Sequence, residues 1–170
     1  MHGPRLASSQ ILRFTAKLAL LALTVLPSVT ALSAPPVDTL DISRFRGKVV
    51  VVDFWASWCE PCRHSFPWLN AMQAKYADRG LVVIGVNVDR VRTDADRFLR
   101  DVPAAFEIVY DPDGSLASRY EVPGMPSSYV FGPAGELVGQ HIGFRNSLRE
   151  EREAELQKLL SSAGATGRTQ

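Results

Sequence analysis

The sequence predicts an α/β domain that combines a parallel β-α-β unit, an antiparallel hairpin and a closing helix. Two uninterrupted apolar runs, Val49–Phe54 and Leu81–Val88, are typical of strands buried on both faces of a sheet. Because helix-compatible sequence ending at Gly80 joins them, the two strands should be parallel. A Gly-Pro-Ala-Gly turn at 132–135 lies between two further strand-like segments and predicts a hairpin.

The first helix is expected to follow the opening strand directly and to continue as far as Gly80. Pro61 falls in its first turn, where a missing N–H is tolerated. Pro67 lies inside the helix and should kink it. The helix is expected to continue through Phe66, Leu69, Met72, Ala74 and Tyr76.

Between the second strand and the hairpin, the sequence predicts a helix, a strand and a short helix. Thr93 is the expected N-cap of a helix over 94–101. Phe106–Tyr110 should form the strand, and an Asp-Pro-Asp-Gly turn at 111–114 should lead into a short helix, Ser115–Tyr120.

The hairpin and a final helix complete the domain. The expected arms are Ser127–Phe131 and Glu136–Ile142, with Gly143 ending the second arm. The final helix should span Ser147–Ser161, and residues 163–170 are expected to be disordered. The leucines expected to face the core are Leu148, Leu156, Leu159 and Leu160.

The first 31 residues have the layout of a secretory signal peptide. A basic stretch precedes the apolar segment Leu18–Leu26, and Pro27 and small residues follow, so cleavage is expected after Ala31, or after Ser33 or Ala34. The alternative is an uncleaved anchor, because no charge occurs from Leu18 to Val37, a run of about 20 residues.

This leader sets the expected organisation and location of the protein. Residues 32–43 should be a linker and 44–162 the folded domain. Either fate of the leader places the domain in the periplasm or another extracytoplasmic space, where disulfides persist. Membrane attachment is expected only if the leader is uncleaved. The net charge of +1 predicts no strong attraction to nucleic acid.

Cys59 and Cys62 are the only cysteines, and they lie between the first strand and the first helix in the run Trp-Cys-Glu-Pro-Cys. Two thiols at this spacing at a helix start predict a thiol–disulfide redox centre. The alternative is a structural disulfide, but a bridge over two residues closes a very small loop and removes little entropy from the unfolded chain. The redox interpretation is therefore preferred.

The helix start also assigns roles to the two thiols. Cys59, at the N-terminus and more exposed, should be the nucleophile because the helix dipole favours a thiolate there. Cys62, one turn further, should resolve the mixed disulfide. Glu60 should raise the pKa of Cys59 and make the pair more reducing, while Arg63 and His64 oppose this effect. Alternatively, Glu60 is a solvated side chain of little effect.

These motifs resemble the thioredoxin fold over essentially the whole chain after the leader. The strand residues Val52–Ala56 before the cysteine pair are similar to the thioredoxin active-site strand, Pro67 to its helix-kinking proline and Gly124-Met125-Pro126 to its cis-proline loop. With its leader and a long Asp89–Pro126 segment, the chain looks most like TlpA/ResA-type exported thioredoxins, in which this segment would be an insertion between the β-α-β unit and the hairpin.

The resemblance implies a protein-disulfide reductase that needs no cofactor. Its clients would be exported proteins with disulfides, including apocytochrome c or copper-site assembly proteins, and a membrane thiol reductase of the DsbD type would supply electrons. Cytochrome c biogenesis is one role that this implies. Ser65 stands where many TlpA-like reductants have a glutamate, so the chain departs from the resemblance at this position.

Asp53 interrupts the first apolar strand, where an unpaired buried carboxylate would have a raised pKa. The resemblance implies that it exchanges a proton with the resolving cysteine. The alternative is a carboxylate satisfied by backbone groups or by a nearby lysine such as Lys48. Gly85 stands where thioredoxin has a lysine paired with this acid.

The resemblance also implies a client-binding rim. Pro126 should be cis and face the disulfide, and the backbone of Met125 could pair with an extended client. Trp58 and Met125 would form an apolar collar, beside Glu60 and Pro61 of the motif. Core packing is the alternative for Trp58 and the expectation for Trp55.

Two further functions remain open from the sequence. The two thiols with His64 or His141 could bind Cu(I) or zinc, which would make the chain a copper-delivery module, although no metal site is expected. An oxidase or isomerase of the same fold would differ by a more oxidising potential.

Overall fold

A computed structural model describes residues 40–166 of the chain. The predicted leader, its cleavage sites and the final residues 167–170 therefore lie outside the described part. No helix within 40–166 is long and apolar enough to cross a membrane.

Five strands and four α-helices make up the described chain, together with three short 3-10 turns. The strands are β1 (Val49–Trp55), β2 (Leu81–Asn87), β3 (Glu107–Tyr110), β4 (Ser127–Phe131) and β5 (Leu137–Ile142). The helices are α1 (Glu60–Tyr76), α2 (Arg92–Asp101), α3 (Ser115–Arg119) and α4 (Arg149–Thr166). Short 3-10 turns occupy Ile42–Phe45, Ala77–Arg79 and Asn146–Leu148.

The strands form one mixed sheet in the order β3-β2-β1-β4-β5. β1 and β2 are parallel, as are β2 and β3, whereas β4 runs antiparallel to both β1 and β5. This arrangement confirms the predicted β-α-β unit, hairpin and thioredoxin fold. The identification of the segment between β2 and β4 as an insertion rests on the resemblance and stays a prediction.

Every residue of β1 is buried because helices or loops cover both faces of the sheet at its centre. On one face Val49 and Val51 pack with residues of α1 and with Leu156 and Leu160 of α4. On the other face Val50, Val52 and Phe54 contact Leu116, Tyr129 and their neighbours. β1 therefore carries its last residues, and the loop after it, on a rigid support.

Gly85 of β2 lies directly opposite Asp53 of β1, as the alignment with thioredoxin implied. A Cβ at this position would lie 2.9 Å from Ile108 Cδ1 and 3.1 Å from Trp55 Nε1. These contacts leave little room for any side chain. Hence β2 offers Asp53 no cation at this register position.

The start of α2, the end of α4 and the burial of two leucines differ from the sequence prediction. α2 begins at Arg92, with Val91 as N-cap and no capping side chain, so Thr93 is not the N-cap. Arg92 supports this earlier start, since it pairs with Asp96 at 2.9 Å and stacks 3.4 Å from the ring centre of Tyr110. α4 continues to Thr166, consistent with the high helix propensity of its alanines, whereas the sequence predicts disorder from residue 163. Of the four leucines expected in the core, Leu156 and Leu160 are buried, whereas Leu148 and Leu159 are half-buried.

Candidate redox site

The cysteine pair lies where the carboxyl end of β1 passes into the start of α1. Cys59 and Cys62 form a disulfide with their Cα atoms 5.3 Å apart. Cys59 is the N-cap of α1, and its Sγ accepts a hydrogen bond from the Cys62 N–H at 3.2 Å. The sulfur therefore already occupies the position where helix N–H groups and the dipole stabilise a negative charge. A thiolate at Cys59 would receive the same stabilisation.

The exposure of the pair is low but asymmetric. Cys59 retains 3 % of its accessible surface and Cys62 none. Both cysteines pack in a cluster with three aromatic side chains, Trp55, Phe66 and Phe98, whose ring centres lie 4.8–5.1 Å apart. Trp55 is thus a core residue, as expected. Trp58, by contrast, is 71 % exposed, which excludes the core-packing alternative for this side chain.

Charged side chains of opposite sign lie beside Cys59, with Glu60 and His64 exposed and Arg63 half-buried. Glu60 lies 3.9 Å from Arg63 Nε and 3.8 Å from His64 Nε2. Arg63 also lies 3.9 Å from an Asp101 carboxylate oxygen and over the Phe98 ring. Solvent screens such long surface contacts, so each ion pair contributes little to stability. The effect of Glu60 on the Cys59 thiolate stays a prediction. Pro61 occupies the first turn of α1 and is exposed beside Glu60.

A second loop approaches the cysteines from the start of β4. The Met125–Pro126 peptide bond is cis, as expected. Met125 is half-buried and packs against the hydrophobic cluster that contains both cysteines. The loop is tied down by the Gly143 N–H, which donates to the Pro126 carbonyl at 2.7 Å, and by Ser127 Oγ, which donates to the Gly124 carbonyl at 2.7 Å.

Asp53 is buried in the sheet two residues before the end of β1, with 1 % of its surface exposed. Its Oδ1 accepts a hydrogen bond from Ser128 Oγ at 2.6 Å, and its Oδ2 has no partner. Burial raises the pKa of Asp53 to about 7, against the opposing effects of Ser128 and the Arg152 guanidinium. The carboxyl therefore titrates in the pH range where thiol exchange operates.

The interpretation of Lys48 as the partner of Asp53 is wrong. The cation that acts on the carboxyl is Arg152 of α4. Lys48 precedes β1 and lies five residues away, a separation of about 17 Å along an extended strand.

Ser128 and Arg152 are functional candidates that sequence reasoning missed. Ser128 pairs with Asp53 across β1 and β4, a register that the sequence does not give. Arg152, Leu156 and Leu160 recur every four residues, a spacing that places the arginine on the buried face of α4. Arg152 is 6 % exposed and donates to the Gly143 carbonyl at 2.9 Å.

Asp89 is a further missed residue, and it holds the loop that precedes the cysteines. Its carboxylate accepts hydrogen bonds from Ser57 N at 2.8 Å, from Ser57 Oγ at 2.9 Å and from Asn87 Nδ2 at 2.7 Å. The parallel strands β1 and β2 end at the same sheet edge, so polar residues just after each strand meet there. This shared edge is the feature from which the contact between Asp89 and the Ser57 loop could have been predicted.

Replacing Asp89 by alanine should destabilise the protein and slow disulfide exchange. The Ser57 N–H and the Asn87 amide would lose their acceptor in a largely buried place, a loss of about 1–3 kcal/mol. Urea unfolding of the oxidised protein measures this change, and Asp78→Ala, which removes an exposed carboxylate of the turn after α1, is the matched control. Equal unfolding free energies for the two variants would contradict the assigned role of Asp89.

Ser65 and the two histidines considered as metal ligands lie apart from one another. Ser65 is buried and its Oγ donates to the Cys62 carbonyl at 3.2 Å. His64 is exposed on α1 beside Glu60, whereas His141 lies on β5 and contacts Glu155 at 2.8 Å. Within residues 40–166, no group of three or more His, Cys, Asp or Glu side chains is arranged to hold a metal ion.

Comparison with known proteins gives a consistent family assignment. The family model of the AhpC/TSA family matches residues 25–140. The chain is 30 % identical over 100 residues to the thiol-disulfide oxidoreductase ResA of Oceanobacillus iheyensis, a match that covers 59 % of this chain and 52 % of the relative. The match thus spans about half the length of that relative.

Solved structures support the same fold. A Chlorobium tepidum structure, assigned as thiol:disulfide interchange protein DsbE, is 46 % identical, with a TM-score of 0.68 and coverage of 70 % of this chain and 84 % of that one. The exposed lipoprotein thioredoxin Etrx1 of Streptococcus pneumoniae is 27 % identical, with a TM-score of 0.61 and coverage of 69 % and 90 %. With a Cys-x-x-Cys disulfide at the start of α1, the chain belongs to the AhpC/TSA family of the thioredoxin superfamily and groups with the ResA- and DsbE-type thiol–disulfide oxidoreductases.

Proposed function

We propose that this chain is an extracytoplasmic thiol–disulfide oxidoreductase that reduces disulfides of exported client proteins. The observation that carries the proposal is the Cys59–Cys62 disulfide, whose first sulfur caps the N-terminus of α1 beside an exposed Trp58. This arrangement supplies a stabilised thiolate and a surface that a client can reach. ResA and DsbE relatives carry the name of this activity.

The proposed cycle moves two electrons from the cysteine pair to the client. The Cys59 thiolate attacks one sulfur of the client disulfide, forms a mixed disulfide and releases a client thiolate. Cys62 then gives its proton to Asp53 and attacks Cys59 Sγ. The second client thiolate leaves, the client is fully reduced, and Cys59–Cys62 is oxidised. A dithiol donor, proposed to be a membrane thiol reductase, returns the pair to the reduced state.

Client binding is proposed at the rim around Cys59. Trp58 provides exposed apolar surface on one side, and Met125 packs against the cysteine cluster on the other. The backbone of Met125 before Pro126 could pair with an extended client segment. Glu60 and Pro61 complete the exposed edge of the rim. Selectivity for particular clients would arise from contacts of this kind.

An extracytoplasmic location is the second part of the proposal. The layout of residues 1–31 supports it, since a basic, then apolar, then small-residue order directs export. The similarity to an exposed lipoprotein thioredoxin of Streptococcus pneumoniae supports it as well.

Insulin reduction tests the activity directly. The reduced protein should accelerate precipitation of the insulin B chain, with dithiothreitol as the electron source, over the rate with dithiothreitol alone. The Cys59→Ser, Cys62→Ser double variant is the control because it replaces only the two sulfur atoms and so lacks the dithiol. A wild-type rate equal to that of the double variant would refute the proposed activity, and tight Cu(I) retention by the same sample would favour copper delivery instead.

A further inference from the structure

A row of polar side chains crosses the sheet from Asp53 to its edge. Asp53 of β1 lies opposite Ser128 of β4, and Ser128 lies opposite His141 of β5. Residues directly opposite in neighbouring strands project from the same face of a sheet. The three side chains therefore form a line from the buried centre of the sheet to its edge strand.

α4 packs over this row and adds two charges to it. Arg152 acts electrostatically on Asp53, and Glu155 Oε2 lies 2.8 Å from His141 Nε2. The charged groups that face the row are thus Arg152 and Glu155 of α4 and His141 of β5, with Glu151 acting on Arg152. The residue that α1 contributes, Trp68, carries no charge.

A small cavity lies within the row. It measures about 10 Å³ and its polar lining comes from Ser128, His141, Arg152 and Glu155. A space of about this size holds one water molecule, provided that polar partners surround it. Trp68 also lines the cavity, and its indole Nε1 is buried without a partner, as is Asp53 Oδ2. Val51, Val130 and Leu156 make the rest of the lining apolar. The four polar side chains and the unpaired Trp68 Nε1 are therefore the groups that would hold a single water there.

The two ends of the row differ in exposure. Asp53 and Ser128 are buried, with 1 % and 8 % of their surfaces exposed. The side chains of His141 and Glu155 are 26 % and 32 % exposed, so the outer end contacts solvent. The row therefore joins the buried acid to solvent without passing the disulfide.

We propose that Ser128, a water in this cavity and the His141–Glu155 pair form the path by which a proton on Asp53 reaches solvent. The inference rests on the proposed function, in which Asp53 takes a proton from Cys62. The Asp53 carboxylic acid releases the proton to the water beside Ser128. The water passes a proton to the His141–Glu155 pair, which releases it to bulk, and no electrons move. The Arg152 charge favours the carboxylate that remains.

Single-turnover kinetics can reveal this path because some reduced molecules start with Asp53 already protonated. With a working path the two protonation states exchange quickly, and all molecules should resolve the mixed disulfide in one phase. In His141→Leu, molecules with a protonated Asp53 should lose that proton slowly and so resolve the mixed disulfide late. They should give a second kinetic phase about tenfold slower than the first. The amplitude of this phase should grow as the pH falls below about 7, the pKa to which burial raises the Asp53 carboxyl.

The experiment mixes the reduced full chain with a model disulfide peptide and follows resolution by tryptophan fluorescence between pH 6 and pH 8. Imidazole should accelerate the slow phase of His141→Leu without changing its amplitude. His141→Gln keeps a polar contact to Glu155 but cannot carry the proton, so it should also show two phases if His141→Leu fails to fold. Asp78→Asn, in the exposed turn after α1, should resemble wild type.

The outcomes separate the two proposals. A wild-type protein that does not reduce the peptide would refute the proposed function. A wild-type protein that reduces it, with one phase in both His141 variants and no effect of imidazole, would overturn the proton path alone. In that case Asp53 exchanges its proton on the side of the disulfide.

Discussion

A Cys59→Ser variant should reduce disulfides no faster than the uncatalysed reaction, whereas Cys62→Ser should accumulate a mixed disulfide with its client. Cys59 Sγ caps α1 and retains the exposed surface of the pair, so it is the sulfur that a client disulfide can reach. Cys62 is fully buried and serves to release the client. Mass spectrometry of each reduced variant mixed with a model disulfide peptide measures the covalent adduct.

The matched comparison between the two serine variants is the control for this prediction. Both remove one thiol and neither can form the intramolecular disulfide. If Cys59→Ser formed the adduct as fast as Cys62→Ser, either cysteine could attack the client. The assignment of Cys59 as nucleophile from its position at the helix start would then be wrong. An adduct confined to Cys62→Ser supports the assignment of Cys59 as nucleophile.

An Asp53→Asn variant should gain stability over wild type as the pH rises. Below about pH 4 the carboxyl is protonated in both folded and unfolded protein, so it makes no difference. Between the usual pKa of 3.8 and the folded-state pKa of about 7, the unfolded chain ionises while the folded protein keeps its proton. The free energy of unfolding of wild type therefore falls through this window, by about 4 kcal/mol in total, and is constant above it.

Urea unfolding of the oxidised proteins at pH 4, 6 and 8 measures this effect. The stability difference between Asp53→Asn and wild type should widen from pH 4 to pH 8, since asparagine does not titrate. Asp78→Asn removes one exposed carboxylate and is the control for a change in net charge. A difference that is the same at every pH would mean that Asp53 is not held in the protonated form by burial.

At pH 8 the Asp53→Asn variant should be more stable than wild type but slower in disulfide exchange. At pH 8 the wild-type carboxylate can accept the Cys62 proton, and the asparagine cannot. Resolution of the mixed disulfide should therefore slow by about 10- to 100-fold in Asp53→Asn at pH 8, with a smaller effect at pH 6, where wild-type Asp53 is itself protonated. A more stable but slower protein is the expected signature of a buried acid that is present for proton transfer.

The sequence was sufficient for the fold because its strongest signals are local. Apolar runs fixed β1 and β2, and the turn at 132–135 fixed the hairpin, each within a few residues of the observed bounds. The prediction of Thr93 as N-cap was wrong because it used residue type alone. Arg92 contacts Asp96 and Tyr110 and extends the helix to an earlier start, and the contact to Tyr110 depends on tertiary structure. Local propensity is a weak guide where such contacts decide the helix start.

The site was predictable only in part. The cysteine pair, Asp53 and the cis peptide at Pro126 follow from motifs that lie in continuous sequence. Arg152 and Asp89 belong to other elements, and their importance depends on which strand or helix faces which. The pairing of Asp53 with Ser128 needs the β1–β4 register, which the sequence does not state. Long-range juxtaposition is therefore the information that the structure adds.

The reduction potential of the Cys59–Cys62 pair is the measurement that tests the central claim most directly. The oxidised protein is equilibrated with glutathione or dithiothreitol buffers at pH 7, and the reduced fraction is read from tryptophan fluorescence. A client reductant should have a potential more negative than about −200 mV. A value near about −120 mV, typical of a strong thiol oxidant, would contradict the reductant account and support an oxidase of the same fold.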